Sequence, residues 1–499
     1  MAAPGVAPSV ARLILSHFPH LPTDGQREVC LSMSQFLFDG DARSAFLLKG
    51  YAGTGKTSLV SALIQTLPQL RVNCVLLAPT GRAAKVISSY AHRQAFTIHK
   101  KIYQTATDVS GITRTFRAVN RYSYTLFIVD EASMIGQESA GTRQSLLEDL
   151  VSFVYSGSHC RLMLIGDTAQ LPPVGQSESP ALDERYLAAA FSLNITAGEL
   201  TEVVRQQQLS GILHNATVLR GQIATMGHAD EARLPLFSTT SDVVRLDPEE
   251  LMEALYREYA AYNLEEIVIV TRSNKRANLF NQGIRNSVLF REEEVNAGDY
   301  LMVVKNNYFW VDGDSSIGFI ANGDIVEVLS VRNVQEQYGF RFADATLRFV
   351  DYPDEESRDC KLLLSTLYSE SPSLTSEEQR QLYEAVMEDY AELPHKADRL
   401  RELRQNPYYN ALQVKFSYAL TCHKTQGGQW RTVIIDQGFM PPDKPLDRDY
   451  LRWLYTAFTR ATEKVYLLGF IPRFFVETEE SSAALREDGS RVGLNNDLS

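Results

Sequence analysis

The run Gly50-Tyr-Ala-Gly-Thr-Gly-Lys-Thr57 carries the most specific chemistry in this chain. It follows a short apolar stretch, Ala45-Phe-Leu-Leu48, and opens Ser58-Leu-Val-Ser-Ala-Leu-Ile-Gln65, which has a helical pattern. Strand, glycine-rich loop and helix start form the setting in which a backbone cradles phosphates. The glycines let successive N–H groups turn inward, and the helix N-terminus adds the positive end of its dipole. On this reading Gly50, Ala52, Gly53, Thr54, Gly55 and Ser58 line the phosphates, Lys56 reaches the β- and γ-phosphates, and the Thr57 hydroxyl ligates Mg²⁺. A Gly-rich turn that merely ends in Lys-Thr is the plainer alternative, and the flanking strand and helix argue against it.

Further polar clusters fit the same chemistry. Asp130-Glu131 ends the apolar run Leu126-Phe-Ile-Val129. The first carboxylate suits Mg²⁺, and the second suits orienting or deprotonating an attacking water. Two solvated acids at a strand end would look alike, but a phosphate loop in the same chain favours the paired role. Gly166-Asp-Thr-Ala-Gln170 ends the run Arg161-Leu-Met-Leu-Ile165 and offers the Gln170 amide to a γ-phosphate. Upstream, Gln26 has the donor and acceptor needed to read an adenine edge; a surface glutamine is the other reading.

These residues need elements that bring them to one edge. Apolar runs alternate with helical stretches, which indicates a doubly wound parallel sheet. In such sheets ligands sit beyond the carboxyl ends of the strands, where each polar cluster lies. A second half repeats the texture, with apolar runs at Ile267-Val-Ile-Val270, Val414–Leu420, Arg431-Thr-Val-Ile-Ile435 and Lys464-Val-Tyr-Leu-Leu468. Two stretches interrupt it. Ile102 to Tyr122 predicts a β-hairpin turning at Ser110-Gly111. Its second arm sets Arg114, Arg117 and Arg121 beside Phe116 and Tyr122, a mixture that suits single-stranded nucleic acid and equally any exposed strand. Short runs at Gly298–Val304, Phe319–Val326 and Phe340–Val350 predict an inserted antiparallel β module. Within it, Lys305-Asn-Asn-Tyr-Phe-Trp310 combines amides, a cation and aromatics. From Cys360 to Asn410 the pattern turns helical, with a capping box at Thr375-Ser-Glu-Glu378. Residues from about 476 onward form a polar tail expected to fray.

Composition narrows the class. With 44% hydrophobic residues and 499 positions the chain can bury several cores, so it is not disordered. A net charge of -12 argues against nonspecific coating of nucleic acid, but not against a locally basic groove. The Cys residues are scattered without a C-x-x-C, which argues against a disulfide framework or a zinc site. No run is long enough for a membrane span, and the N-terminal stretch lacks a basic segment before an apolar core. The expectation is a cytoplasmic enzyme with no membrane partner.

Taken together, GYAGTGKT (50–57), APTGRAAKVI (78–87), TIHKKIY (97–103), FIVDEASMI (127–135), GDTAQLPPVG (166–175), LTEVVRQ (200–206), ALTCHKTQGGQW (419–430) and LYTAFTRA (454–461) resemble, in order, the motifs of superfamily 1 helicases of the RecD/Dda-like, 5′-to-3′ subclass. The resemblance implies an α/β fold of two RecA-like P-loop domains with parallel sheets, an inserted β-hairpin pin, and an inserted SH3-like β module with a helical projection. It implies domain 1A over 1–199 with a hairpin 1B at about 103–122. Domain 2A then covers 200–290 and 416–475, around a 2B module at 291–415 whose helical tower spans about 360–410. The tail is 476–499.

The same resemblance assigns roles. Lys56, Asp130, Glu131, Gln170, Arg205 and Arg460 form the catalytic set, the two arginines acting as fingers from the second half. Gln26, Gly427 and Gln429 join the phosphate loop, Gln170 and Arg460 in holding ATP; Thr57 and Asp130 hold Mg²⁺. Pro79, Thr80, Thr97, His99, Asn306, Asn307, Thr421 and His423 face DNA. Many relatives carry Glu where Gln429 stands, so ribose contact without charge is expected. The implied function is ATP-driven 5′-to-3′ translocation on single-stranded DNA and unwinding of tailed duplexes by a monomer. Single-stranded-DNA-binding, replication or repair proteins are implied as partners. The alternative is a nucleic-acid translocase or remodeller that never separates strands. A small-molecule phosphotransferase is a third class, but it does not need arginines from a second lobe.

Overall fold

The computed structural model describes residues 6–107, 113–136, 145–204, 210–227, 237–311, 319–352, 355–441 and 445–475, without the side chains of residues 105–107 and 113–115. Arg205, the hairpin turn at Ser110-Gly111, the Arg114 side chain and the tail from 476 lie outside the described residues.

The first lobe opens with α1 (Val6–Ser16), α2 (Asp24–Leu37), β1 (Ser44–Gly50), α3 (Lys56–Thr66), β2 (Asn73–Ala78), α4 (Gly81–Ala91), β3 (Ala95–Thr97) and α5 (Ile98–Ile102). It continues with β4 (Tyr103–Thr107), β5 (Thr113–Arg117), β6 (Thr125–Val129), α6 (Leu146–Ser156), β7 (Arg161–Gly166), α7 (Glu184–Phe191) and β8 (Asn194–Leu200). Its six strands run in the order β3-β2-β6-β7-β1-β8, every pair parallel. Strands β1, β6 and β7 are buried almost throughout because helices cover both faces of the sheet. Since β7 lies between β6 and β1, the phosphate loop, Asp130 and Asp167 emerge side by side at one edge. The N-terminal stretch is α1, whose buried Val10 and Ile14 share a core with Val29 of α2 and Leu63 of α3.

Strands β4 and β5 pair antiparallel as the expected hairpin. Its base is braced by α6. The Tyr103 hydroxyl donates to Asp149 at 2.7 Å, and Asn120 Nδ2 donates to the Phe153 carbonyl at 2.8 Å. Tyr122 packs edge-on against Phe127 in the core, whereas Phe116 is exposed.

The second lobe comprises α8 (Gly211–Thr225), β9 (Val243–Leu246), α9 (Leu251–Ala261), β10 (Ile267–Thr271) and α10 (Asn274–Gly283), and resumes later in the chain. Between lie β11 (Tyr300–Val303), β12 (Ile325–Gln337), β13 (Phe340–Phe349), β14 (Arg358–Leu363), α11 (Ser376–Glu388), α12 (Lys396–Gln405) and β15 (Leu412–Phe416). The five strands close into a barrel. The helical projection is therefore shorter than expected: Cys360 belongs to the barrel, and only α11 and α12 project, packing Leu382, Val386 and Leu403 on Phe340 and Phe342. Residues Phe319–Asp324 turn tightly before β12 instead of beginning a strand, with Asp324 accepting from the Ala321 N–H at 2.7 Å.

The lobe is completed by β16 (Ala419–Thr421), α13 (Cys422–Thr425), β17 (Trp430–Asp436), α14 (Arg448–Phe458) and β18 (Ala461–Leu468). Its sheet order is β16-β10-β17-β18-β9, again parallel. The apolar run 414–420 is thus two strands, one finishing the barrel and the other entering this sheet. Among the described residues, no helix is long and apolar enough to cross a membrane.

Candidate nucleotide site between the lobes

The phosphate loop bridges β1 and α3. Gly53 and Gly55 have φ of 75° and 83°, the left-handed region that glycine enters without strain. A Cβ at Gly50 would lie 2.9 Å from Lys56 Cγ, and one at Gly55 would run into Gln26 Nε2. Lys56 Nζ lies inside the loop and donates to the carbonyls of Gly50 (2.5 Å) and Tyr51 (2.9 Å). The Thr54 hydroxyl donates to the Tyr51 carbonyl at 2.8 Å, so its side chain braces the loop from within. Thr57 is exposed on the cleft wall, with Ser58 beside it.

Gln26 differs from the expectation. It is 0% exposed and both ends of its amide are engaged. Oε1 accepts from the Thr23 N–H at 3.0 Å, completing a capping box, and Nε2 donates to the Thr54 carbonyl at 3.0 Å. As it stands, Gln26 braces the loop from behind and presents nothing to a base. Thr23 makes this geometry: a residue three positions past a Thr cap is drawn back onto the cap.

Opposite the loop stand the two acids. Asp130 accepts from the Tyr90 hydroxyl at 2.7 Å and from the Glu131 N–H at 2.8 Å. Glu131 has φ of 52°, a left-handed conformation that costs a non-glycine residue about 1 kcal/mol or more and recurs at functional sites. Burial raises its carboxyl above the usual range and Asp130 and Asp167 add to this, while Arg460 and Lys56 pull it down. Tyr90, at the end of α4, is pushed well above its usual value by burial and by Asp130, so it stays a donor. Gln170 is buried beside Asp167, and its Oε1 has no hydrogen-bond partner among the described residues.

The second lobe closes the cleft. Arg460, 4% exposed, follows α14 and is held by three bonds. Nε donates to the Thr456 carbonyl at 3.1 Å, Nη1 to the Gly428 carbonyl at 3.1 Å and Nη2 to the Thr459 hydroxyl at 3.3 Å. Its charge is felt by Glu131, which sets it across the cleft from the acids. Gly427 has φ of 74°, and Gln429 lines the cleft. A cavity of about 560 Å³ is lined by Lys56, Thr57, Asp130, Glu131, Gln170 and Arg460 together. Of the expected catalytic residues, Arg205 lies outside the described residues.

Two tyrosines at this site were not expected, Tyr90 and Tyr455. Tyr455 reaches from α14 to accept from the Ala52 N–H at 2.9 Å and donate to Asp167 at 2.6 Å. An aromatic residue in a helical pattern reads as core, and no spacing rule marks it otherwise.

The residues expected to face DNA divide. Thr80 and Thr97 cap α4 and α5, accepting at 3.2 Å from the N–H groups of Ala83 and Lys100. Pro79 precedes that cap, and the His99 ring lies 5.6 Å from that of Tyr103. Thr421 and exposed His423 stand at the corresponding strand end of the second lobe. The lobes approach each other beside Thr80: a Cβ at Gly427 would lie 3.2 Å from the Thr80 hydroxyl. Asn306 and Asn307 bond within the inserted module. Asn307 accepts from the Phe309 N–H at 2.9 Å and donates to the Asn410 carbonyl at 2.7 Å, and Asn306 accepts from the Asn322 N–H at 2.7 Å. Lys424, not expected at the sequence level, donates to Asn322 at 3.1 Å.

Comparison with known proteins agrees with this architecture. The AAA domain family matches residues 24–233, and the UvrD-like helicase C-terminal domain family matches residues 416–468. The chain is 25% identical over 435 residues to the ATP-dependent RecD2 DNA helicase of Deinococcus radiodurans, covering 85% of this chain and 46% of that protein. It is 23% identical over 424 residues to the ATP-dependent DNA helicase Pif1 of a Psychrobacter species, covering 78% and 61%. With the ATP-dependent DNA helicase dda of Enterobacteria phage T4 it shares 30% identity over 162 residues, 32% of this chain and 34% of that one. The chain therefore spans about half the length of the RecD2 relative. Two matched lobes in this order, facing each other across one phosphate loop, make the chain a member of the superfamily 1 helicases of the RecD/Pif1/Dda type.

Proposed function

We propose that the protein is an ATP-dependent DNA helicase that moves 5′ to 3′ along single-stranded DNA and unwinds tailed duplexes. The observation that carries this is the shared cleft, with the phosphate loop and Asp130-Glu131 on one lobe and Arg460 on the other. A site assembled from two lobes makes hydrolysis sensitive to their separation, which a small-molecule phosphotransferase does not need. ATP seats its phosphates on the N–H groups of Gly53 to Ser58, with Lys56 beside the transferred group. The exposed Thr57 hydroxyl and the Asp130 carboxylate are the oxygens that would hold Mg²⁺, which when bound would neutralise charge on the phosphates. Glu131 orients and deprotonates the attacking water, Gln170 contacts the γ-phosphate, and Arg460, with Arg205, spreads transition-state charge. Gln429 reaches the ribose from beside Gly427. Adenine recognition by Gln26 would require its amide to leave Thr54.

Closure and opening then move two grips on one strand, Pro79, Thr80, Thr97 and His99 on the first lobe and Thr421 and His423 on the second. Contacts of this kind go to the backbone, so sequence preference is weak. The domain reading is 1A over 1–199, 2A over 200–290 and 416–475, and an SH3-like 2B module between them. The hairpin at 103–122 is the pin that parts base pairs. The enzyme acts as a cytoplasmic monomer in DNA repair or recombination, alongside single-stranded-DNA-binding proteins. Strand displacement from 5′-tailed, 3′-tailed and blunt duplexes tests the proposal. Displacement only with a 5′ tail is expected. A requirement for a 3′ tail would reverse the polarity, and DNA-stimulated hydrolysis without displacement would favour a translocase or remodeller.

A further inference from the structure

The phosphate loop is pinned from several directions. Within the first lobe, the Tyr51 N–H donates to the Leu200 carbonyl at 3.4 Å and Gln26 donates to Thr54 at 3.0 Å. The Val204 N–H, just past β8, donates to the Gly53 carbonyl at 3.0 Å. From the second lobe, Arg220 of α8 lies 4.8 Å over the Tyr51 ring, and the Tyr455 hydroxyl takes the Ala52 N–H. Tyr455 is 0% exposed. Its own proton goes to Asp167, 1% exposed, whose other oxygen accepts from the Ala169 N–H at 2.9 Å at the start of the turn that bears Gln170. One hydroxyl on α14 thus joins the apex of the phosphate loop to the strand end that carries Gln170. Arg460 follows the C-terminal end of the same helix, next to the turn that carries Tyr455.

We propose that Tyr455 is a positioning residue that transmits the separation of the lobes to the phosphate loop, so that loop, Gln170 and Arg460 reach catalytic register together. The inference rests on the reading of this cleft as the ATP site. The hydrogen-bond chain runs one way, from Ala52 N–H to Tyr455 Oη and from Tyr455 O–H to Asp167. Burial and the Asp167 carboxylate push the phenol well above its usual value, so it remains a donor across the working pH range. When α14 draws back, Ala52 loses its acceptor and Asp167 its donor in one movement.

Tyr455→Phe keeps the ring and removes only the hydroxyl. The measurements are kcat for ATP hydrolysis with and without single-stranded DNA, the Kd of a fluorescent ADP, and the melting temperature. The expected result is a kcat about tenfold lower, equivalent to about 1.4 kcal/mol, with ADP affinity within about threefold, since the lost contact acts on alignment and not on ground-state binding. Asp167→Asn should behave alike, and the double variant should fall no further than the worse single one, because both remove one link. A folded Tyr455→Phe protein with kcat within about twofold of the parent would overturn the proposal. So would additive losses in the double variant, or a joint fall in kcat, ADP affinity and melting temperature. A parent protein that hydrolyses ATP without stimulation by DNA would instead sink the helicase reading, leaving the Tyr455 effect measurable on unstimulated turnover.

Discussion

Glu131 concentrates the chemistry of the site in one residue. On the proposed reading its half-buried carboxylate, in left-handed backbone and flanked by two acids and two cations, is the base. Glu131→Gln preserves shape and removes the basic oxygen. ATP should still bind, while hydrolysis falls by about a hundredfold or more, the usual scale for a general base; a quenched single-turnover assay reads both. Because burial raises this carboxyl and Arg460 lowers it, the rate should rise with pH through a limb set above that of an ordinary glutamate. Arg460→Ala should move that limb further up, and a kcat–pH profile unmoved in this variant would separate the two groups. At this scale the acids, Lys56 and Gln170 were legible because strand ends and a glycine loop leave a strong pattern. Tyr90 and Tyr455 were not, since their roles lie in where their hydroxyls point. The engagement of Gln26 was hidden for the same reason: its type suits a base edge, but its cap at Thr23 turns the amide inward in this structure.

At the scale of elements, the barrel touches the first lobe through an acid that has no place in the ATP chemistry. Asp324 is 1% exposed, its Oδ1 has no partner among the described residues, and a Cβ at Gly81 of α4 would run into it. Burial raises it to about 8, with Asp351 adding to the effect. An acid with a folded value above its unfolded one stabilises least at high pH: the unfolded chain ionises near 4, the folded chain only near 8, and stability drains between them. Asp324→Asn should therefore melt above the parent by a margin that grows from pH 5 to 8 and then levels off; a margin constant in pH would contradict this. The hairpin gives a second prediction. Replacing residues 106–119 with a short Gly-Ser turn should leave DNA-stimulated ATPase intact and abolish strand separation, since the brace at Asp149 and Asn120 lies at the base, outside or at the edge of the removed segment. Unwinding at the parent rate would show the segment to be surface only. The hairpin and both parallel sheets were legible from alternation and apolar runs. The barrel's β14 and β15 were hidden because their residues continue into helical or sheet-like neighbours, and closure of a barrel is a long-range pairing with no local signal.

At the scale of the whole molecule, the lobes meet along the turn after β7 and along α14. The Leu171 N–H donates to Thr456 at 2.9 Å, Gln426 donates to the Leu171 carbonyl at 2.7 Å, and Arg452 donates to Ser177 and Glu178. This seam carries Gln170 and Arg460 toward the same cavity. Arg460→Ala should keep nucleotide affinity and lose about a thousandfold in turnover, the scale seen when an arginine finger is removed; equilibrium binding of a fluorescent nucleotide beside steady-state hydrolysis checks it. The most direct test of the account is ATP turnover by the purified protein with and without single-stranded DNA. A cleft built from two lobes that both grip one strand predicts that DNA raises kcat severalfold in the parent protein and has no effect in Arg460→Ala. Equal turnover with and without DNA in the parent protein would contradict it.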